Sequence, residues 1–346
     1  MNINSSLIQF RSSIKSTVKR WETVLTFLLL SEFIVFSLAN EKFTFARMLL
    51  SINDIISICI ISLFVTFVMV TGGIDIQAGS IVGLTSIVIG VSWQDGGMNI
   101  WGAVIVSVIV AALCGALSGF FVAYCGVQPM IVTLGGSFLF SGIALLISKI
   151  SSTESYKGIS GFPESFTQIA KYKLFGVIPS QLLIFIALII ICYFLLHKSK
   201  YGRSVFLVGV NHEASEYSGI NSRLVVMSTY ILSGIGASIA GIVLTAYLGT
   251  AKSDIGVTFT LPIITAVVLG GTLSTGGKGS IFGTALAAVV IGVLRFGLPL
   301  SFKISTQYLD IPVGILLLAV VIGRALASNP KTSAFFNKLL RKKSVG

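Results

Sequence analysis

Long apolar runs separated by short polar breaks dominate the chain. They fall at about 23–39, 55–71, 76–92, 103–125, 129–148, 180–196, 224–248, 261–274, 279–297 and 308–327. An α-helix rises 1.5 Å per residue, so ~20 apolar residues cross the ~30 Å hydrocarbon layer of a bilayer. The pattern predicts an all-α integral membrane fold of about ten transmembrane helices over residues 22–327. Ahead of it, Leu7, Phe10, Ile14, Val18 and Trp21 recur at helical spacing, while Arg11, Lys15 and Lys19 fall on another face. Residues 1–21 therefore read as an amphipathic helix on the cytoplasmic membrane surface.

Two polar stretches interrupt the apolar pattern at length. His197–Arg223 carries Lys198, Lys200, Arg203 and Arg223, and a positive excess beside membrane spans favours the cytoplasmic side. Within it, Glu213-Ala214-Ser215 is followed by Gly219. A short helix closing at that glycine, in the left-handed conformation glycine tolerates, would make a protruding peg. Such a peg needs a receiver, which points to a separate cytoplasmic subunit. The second stretch, 149–179, holds Lys149, Glu154, Lys157, Glu164, Lys171 and Lys173 and is expected to form the largest outer loop, polar enough to meet a soluble partner. Residues 328–346 form a basic tail, and both termini are expected to be cytoplasmic.

An internal repeat runs through the pattern. Gly72-Gly73-Ile-Asp75-Ile-Gln-Ala-Gly79-Ser80-Ile81-Val-Gly83 is echoed by Gly270-Gly271, then Lys278-Gly279-Ser280-Ile281-Phe-Gly283. Each copy carries Gly-x-x-x-Gly, a spacing that lets helices approach closely in lipid. Duplicated glycine breaks at corresponding places point to a translocation path, with Gly72, Gly73, Asp75, Gly79, Gly270, Gly271 and Gly279 as its candidate residues. A ten-helix count puts both breaks on one side and implies parallel repeats; an odd count would invert them.

Composition narrows the class further. Hydrophobic residues make up 54% and charged residues 10%, against about 25% charged in soluble domains. The net charge of +12 gathers in the cytoplasmic stretches rather than along an aromatic-lined groove, so nucleic acid is not implied. Cys59, Cys114, Cys125 and Cys192 sit in apolar runs without paired spacing and read as buried thiols, with no metal site. Gly276-Gly-Lys278-Gly279 fails as a phosphate loop, because Lys278 is followed by Gly rather than Ser or Thr. No ATP site or other cofactor is expected in this chain. His197 and His212 lack catalytic partners and read as surface loop residues. Asp75 reads as a cap for the helix that follows, the alternative being a contact to a polar substrate.

At these residues the chain resembles a known family. Thr71–Ser80 resembles the glycine–aspartate signature of ABC permeases of the ribose and branched-chain amino-acid superfamily, and Gln128-Pro129-Met-Ile-Val-Thr133-Leu-Gly135 resembles that family's proline-containing helix start. Glu213-Ala214-Ser215 with Gly219 resembles its coupling motif, with Ser215 where a second alanine is usual. Gly158–Phe166, Ala251–Gly256 and Leu261–Gly271 are similar to the D-type permease subunits of autoinducer-2 importers. The resemblance covers about residues 22–326. It implies an ABC importer permease in a bacterial inner membrane, paired with a C-type permease, cytoplasmic ATP-binding subunits and a periplasmic binding protein. It also implies that Phe162, Pro163, Lys252 and Asp254 dock the binding protein. A ribose- or galactose-type permease is the alternative within the class, and a stand-alone channel or secondary carrier the alternative outside it.

Overall fold

The computed structural model describes residues 21–328; the amphipathic stretch before Trp21 and the basic tail lie outside the described residues. All ten apolar segments form helices. In chain order the elements are α1 (Trp21–Ala39), α2 (Phe45–Val70), α3 (Ala78–Gln94), α4 (Ile100–Ala123) and α5 (Pro129–Ile150). The 149–179 polar stretch follows with β1 (Ile159–Ser160), α6 (Glu164–Lys171), β2 (Lys173–Leu174) and β3 (Ile178–Pro179). Next come α7 (Ser180–Tyr193), continued by a π-helical turn at Phe194–Lys198, then α8 (Lys200–Val210), α9 (His212–Tyr217) and α10 (Ser222–Leu248). The chain closes with β4 (Thr250–Ala251), α11 (Thr260–Leu269), α12 (Ile281–Phe302) and α13 (Asp310–Ser328).

Seven of these helices are long and apolar enough to cross a membrane, while α3, α11 and the described part of α13 are shorter. The expected span at 261–274 ends early, at Leu269, because Gly270 and Gly271 break it. At ten residues, α11 is ~15 Å long and reaches only half the hydrocarbon thickness.

Burial explains the layering. The window Asn53–Val70 of α2 is almost entirely enclosed, with α10, α11 and α12 packed around it. The outer helices α1, α4 and α5 instead expose Phe27, Ile105, Leu113, Phe138 and Leu146, as membrane-facing helices must. Polar side chains start the helices where the chain turns: Asn99 accepts from Trp101 N–H at 2.9 Å, and Ser280 from Gly283 N–H at 3.1 Å. These bonds satisfy donors that a helix start leaves free.

One segment has no helix. Residues 252–259 run beside α3 in the opposite sense, tied by Lys252 N–H to Ser86 Oγ at 3.3 Å and by Thr260 Oγ1 to the Ile76 carbonyl at 3.2 Å. Irregular backbone is tolerated at membrane depth only where protein encloses it. Gly79 and Gly83 supply that enclosure. A Cβ on either would collide with the carbonyl of Gly256 or Ser253. The first Gly-x-x-x-Gly thus admits an irregular segment, where the spacing predicted another helix.

Candidate functional site: coupling helix and glycine breaks

The polar stretch between α7 and α10 is built from successive caps. Ser199 Oγ accepts from Gly202 N–H, Asn211 Oδ1 from Ala214 N–H, and Asn221 Oδ1 from Leu224 N–H, each near 2.9–3.0 Å. Each polar cap stops one helix and starts the next, so α9 stands as an isolated short helix. It closes as expected at Gly219, whose φ is +81. Gly219 N–H donates to the Glu216 carbonyl at 2.9 Å and Ile220 N–H to the Ser215 carbonyl at 3.1 Å, a left-handed C-terminal cap. Glu213 and Ala214 are exposed, Tyr217 projects at 92% exposure, and Ser215 is buried. The Ser215 hydroxyl donates back to the Asn211 carbonyl at 2.8 Å, so serine in place of the usual alanine keeps its polar group satisfied within the helix.

The repeated glycine breaks meet each other at this same end. Gly277 N–H donates to the Val70 carbonyl at 2.8 Å, joining the end of α2 to the loop after α11. Gly209 of α8 lies against both: a Cβ there would collide with the Val70 carbonyl and come 2.7 Å from Gly277 N. The helix leading into α9 thus touches both breaks through one glycine. The two breaks lie on one side of the bundle, the placement the ten-helix count implied. Gly279 packs against Val70 and Thr272, and Gly270 against Gly283 and Thr284, so the second Gly-x-x-x-Gly also closes on the breaks rather than on a distant helix.

Above the first break lies a buried polar cluster. Asp75, 2% exposed, accepts from Gln77 N–H at 3.0 Å and from the Ser233 hydroxyl of α10 at 2.6 Å. It therefore closes the turn just ahead of α3, whose N-cap residue Gln77 makes no side-chain cap bond, and also fixes the break to α10. The Ser118 hydroxyl donates to Gln77 Oε1 at 2.6 Å, and Thr133 to the Ile74 carbonyl at 3.1 Å. Gln77 Nε2 and the Tyr230 hydroxyl have no hydrogen-bond partner. A Cβ on Gly73 would sit 2.5 Å from the Tyr230 hydroxyl, so that glycine makes room for the ring.

The second break is held from two sides. His197 is half-buried and stacks between Tyr193 and Phe206. Its Nε2 accepts from Ile281 N–H at 3.3 Å at the start of α12. This corrects its reading as a loop surface histidine: the π-helical turn rotates it inward. Glu22 of α1 accepts from the Ser280 hydroxyl at 3.2 Å. His212 is exposed beside Glu216, at 3.9 Å. Among the described residues no cluster of three His, Cys, Asp or Glu could hold a metal. Cys59, Cys114 and Cys192 are buried, but Cys125 is exposed, because it falls in the turn between α4 and α5 rather than in a span.

At the opposite end the two subgroup stretches come together. β1 pairs antiparallel with β4, Ile159 opposite Ala251 and Ser160 opposite Thr250. Phe162 is 8% exposed and packs on Trp93 and Phe166 with ring centroids 4.9 and 5.2 Å apart. It holds the 149–179 stretch to α3 and is not an outward anchor. Pro163 and Lys252 are partly exposed, and Asp254 is exposed. Beside them Asp95, at the end of α3, accepts from Ser151 and Ser152 hydroxyls at 2.7 Å and from Ser152 N–H at 2.9 Å. These bonds hold its carboxyl below the usual carboxylate range.

Sequence reasoning missed Gly209, Gln77, Ser118, Tyr230 and Ser233. Ser118, Ser233 and Gly209 had a local signal only as small residues on helices, and nothing in the sequence tied them to the breaks.

Residues 47–321 match the family model described as the permease component of branched-chain amino acid transport systems. Over 308 residues the chain is 41% identical to the "Autoinducer 2 import system permease protein LsrD" of Photorhabdus luminescens, covering 89% of this chain and 92% of that protein. The protein of the same name from Yersinia enterocolitica is 42% identical over 309 residues, with the same coverage. No solved structure matches.

Proposed function

Because the chain belongs to the permease family of branched-chain amino acid transport systems, we propose that it is the membrane permease subunit of an ATP-driven importer whose cargo is autoinducer 2. The observation that carries the cargo is the identity of about two residues in five, along nearly the whole chain, to permeases of autoinducer 2 import systems. In this reading the chain pairs with a C-type permease. Cytoplasmic ATP-binding subunits engage α9, and a periplasmic binding protein delivers ligand at the β1–β4 end. Both termini and α9 lie in the cytoplasm of a bacterium whose inner membrane holds the complex. The ATPase site and its nucleotide belong to the separate subunits.

The mechanism is a change between two packings of the same helices. Closure of the ATP-binding subunits displaces α9. Through α8 the displacement reaches Gly209 and hence both glycine breaks, the candidate path residues Gly72, Gly73, Gly270, Gly271 and Gly279 among them. Asp75 ties the first break to α10, so the shift enters the bundle core instead of being absorbed in a loop. The permease contributes differential contacts in two states and no bond chemistry.

The test is transport by proteoliposomes that contain this chain with the partner permease, ATP-binding subunits and binding protein of an autoinducer 2 import system. ATP-dependent accumulation of labelled autoinducer 2, undiminished by excess ribose or leucine, is expected. Accumulation of ribose in its place would reassign the cargo.

A further inference from the structure

Phe175 stands at the tip of the β2–β3 hairpin, 88% exposed, with φ +52. Leu174 pairs with Ile178, which leaves Phe175, Gly176 and Val177 in the loop, and Gly176 is also left-handed at φ +73. Such tips usually carry Gly, Asn or Asp, since a bulky side chain crowds the backbone at positive φ. An aromatic ring here adds strain and gains no burial within this chain. Tyr172 and Val177 are exposed beside it, as are Lys171 and Lys173 at the hairpin base. Residues 165–179 contain no Asp or Glu. The hairpin is therefore an apolar tip on a basic base, at the end of the molecule opposite α9.

At its base opens a cavity of about 400 Å³ lined by Asn53, Lys171, Tyr172, Lys173 and Tyr247. Asn53 is 8% exposed, and its Oδ1 has no hydrogen-bond partner. Two ammonium donors and one unfilled buried acceptor thus surround the same space.

The geometry points to this hairpin as the docking point for an acidic protein partner, the substrate-binding protein of the transport system. Phe175 seats in an apolar pocket of that partner, and a polar partner loop enters the cavity. This rests on the permease reading above and moves its outer contact from Phe162, which is used in internal packing, to Phe175. A bare phosphate could meet the lysines but offers no donor to Asn53 Oδ1, and a lipid ammonium that does offer one would bring a further positive charge against Lys171 and Lys173. A peptide loop offers both a carboxylate and N–H groups, so a protein fits the cavity better.

The test uses the assembled transporter in nanodiscs with its purified binding protein. Phe175→Gly removes the ring and relieves the left-handed strain, so assembly and basal ATP hydrolysis are expected to persist. The half-saturating concentration of binding protein is expected to rise at least tenfold, and Phe175→Tyr to restore it. Phe175→Trp is expected to shift its emission to the blue only when binding protein is added. An unchanged half-saturating concentration for Phe175→Gly would overturn the docking assignment. So would Phe175→Trp emission already blue-shifted in nanodiscs alone, which would place the tip in lipid. If wild type itself neither binds nor responds to the binding protein, the cargo reading fails instead.

Discussion

Ser233 donates a 2.6 Å hydrogen bond to Asp75 across 158 positions of sequence, and both side chains are buried. The same carboxylate accepts from Gln77 N–H. In Asp75→Asn the amide oxygen can keep the Gln77 N–H bond while Nδ2, in place of the second carboxylate oxygen, donates to the Ser233 hydroxyl, so the variant is expected to retain most transport. Asp75→Ala leaves the serine hydroxyl and the N–H unpaired in a dry core, at about 1–3 kcal/mol each. Thermal unfolding of the purified chain in detergent is the measurement. The alanine variant should melt several degrees lower and the asparagine variant close to wild type. Severe loss of uptake in the stable asparagine variant would instead give the charge a role in the path.

Gly209 predicts a sharper effect than its position in a short surface helix suggests. A Cβ there collides with the Val70 carbonyl, so Gly209→Ala should reduce transport by at least tenfold with insertion into the membrane intact. Gly135 and Gly142 have nothing within reach of an added Cβ, and alanine at either should leave uptake unchanged.

Gly219 separates strain from contact. Nothing lies near an added Cβ, but φ is +81, so Gly219→Ala should cost only about 1–2 kcal/mol of local backbone strain. Gly219→Arg adds a long cation on the surface proposed to meet the ATP-binding subunits. ATP hydrolysis without uptake is expected for arginine, and partial uptake for alanine. Normal uptake by the arginine variant would remove α9 from coupling.

The Asp95 clasp predicts a pH dependence confined to the acid side. Hydrogen bonds from Ser152 and Ser151 lower its folded pKa below the unfolded value. The stabilisation is thus present above the unfolded carboxylate pKa of about 4 and is lost as pH falls through the lower folded value. The protection of amides 151–153 against hydrogen exchange, taken relative to the intrinsic rate at each pH, should be flat from neutral pH to about 4 and fall below it. Asp95→Asn should abolish that acid-side change.

Much of the helical layout was legible because lipid imposes a length and an apolar content on each span. The closing turn at Gly219 was legible because a left-handed cap restricts residue type. Depth was not. Thr260–Leu269 is as apolar as a span although it is only ten residues long, since protein rather than lipid surrounds it. Phe162 in a polar loop reads as exposed until Trp93, far away in sequence, is known to cover it. Gly209 carried no signal because its partners, Val70 and Gly277, come from two other regions of the chain. The residues proposed for the path and for docking thus depend on contacts between segments, which local patterns do not encode.

Whether the short helix α9 drives both breaks is tested most directly by distances between spin labels in the assembled transporter. Labels at Tyr217 and Thr275 report the helix and the second break, and a third at Asp95 reports the opposite end. Between the nucleotide-free and ATP–vanadate states, the 217–275 distance should stay fixed while 217–95 changes by several ångströms. A change in both 217–275 and 217–95 with 275–95 constant would show α9 moving without the breaks, and would contradict the coupling through Gly209.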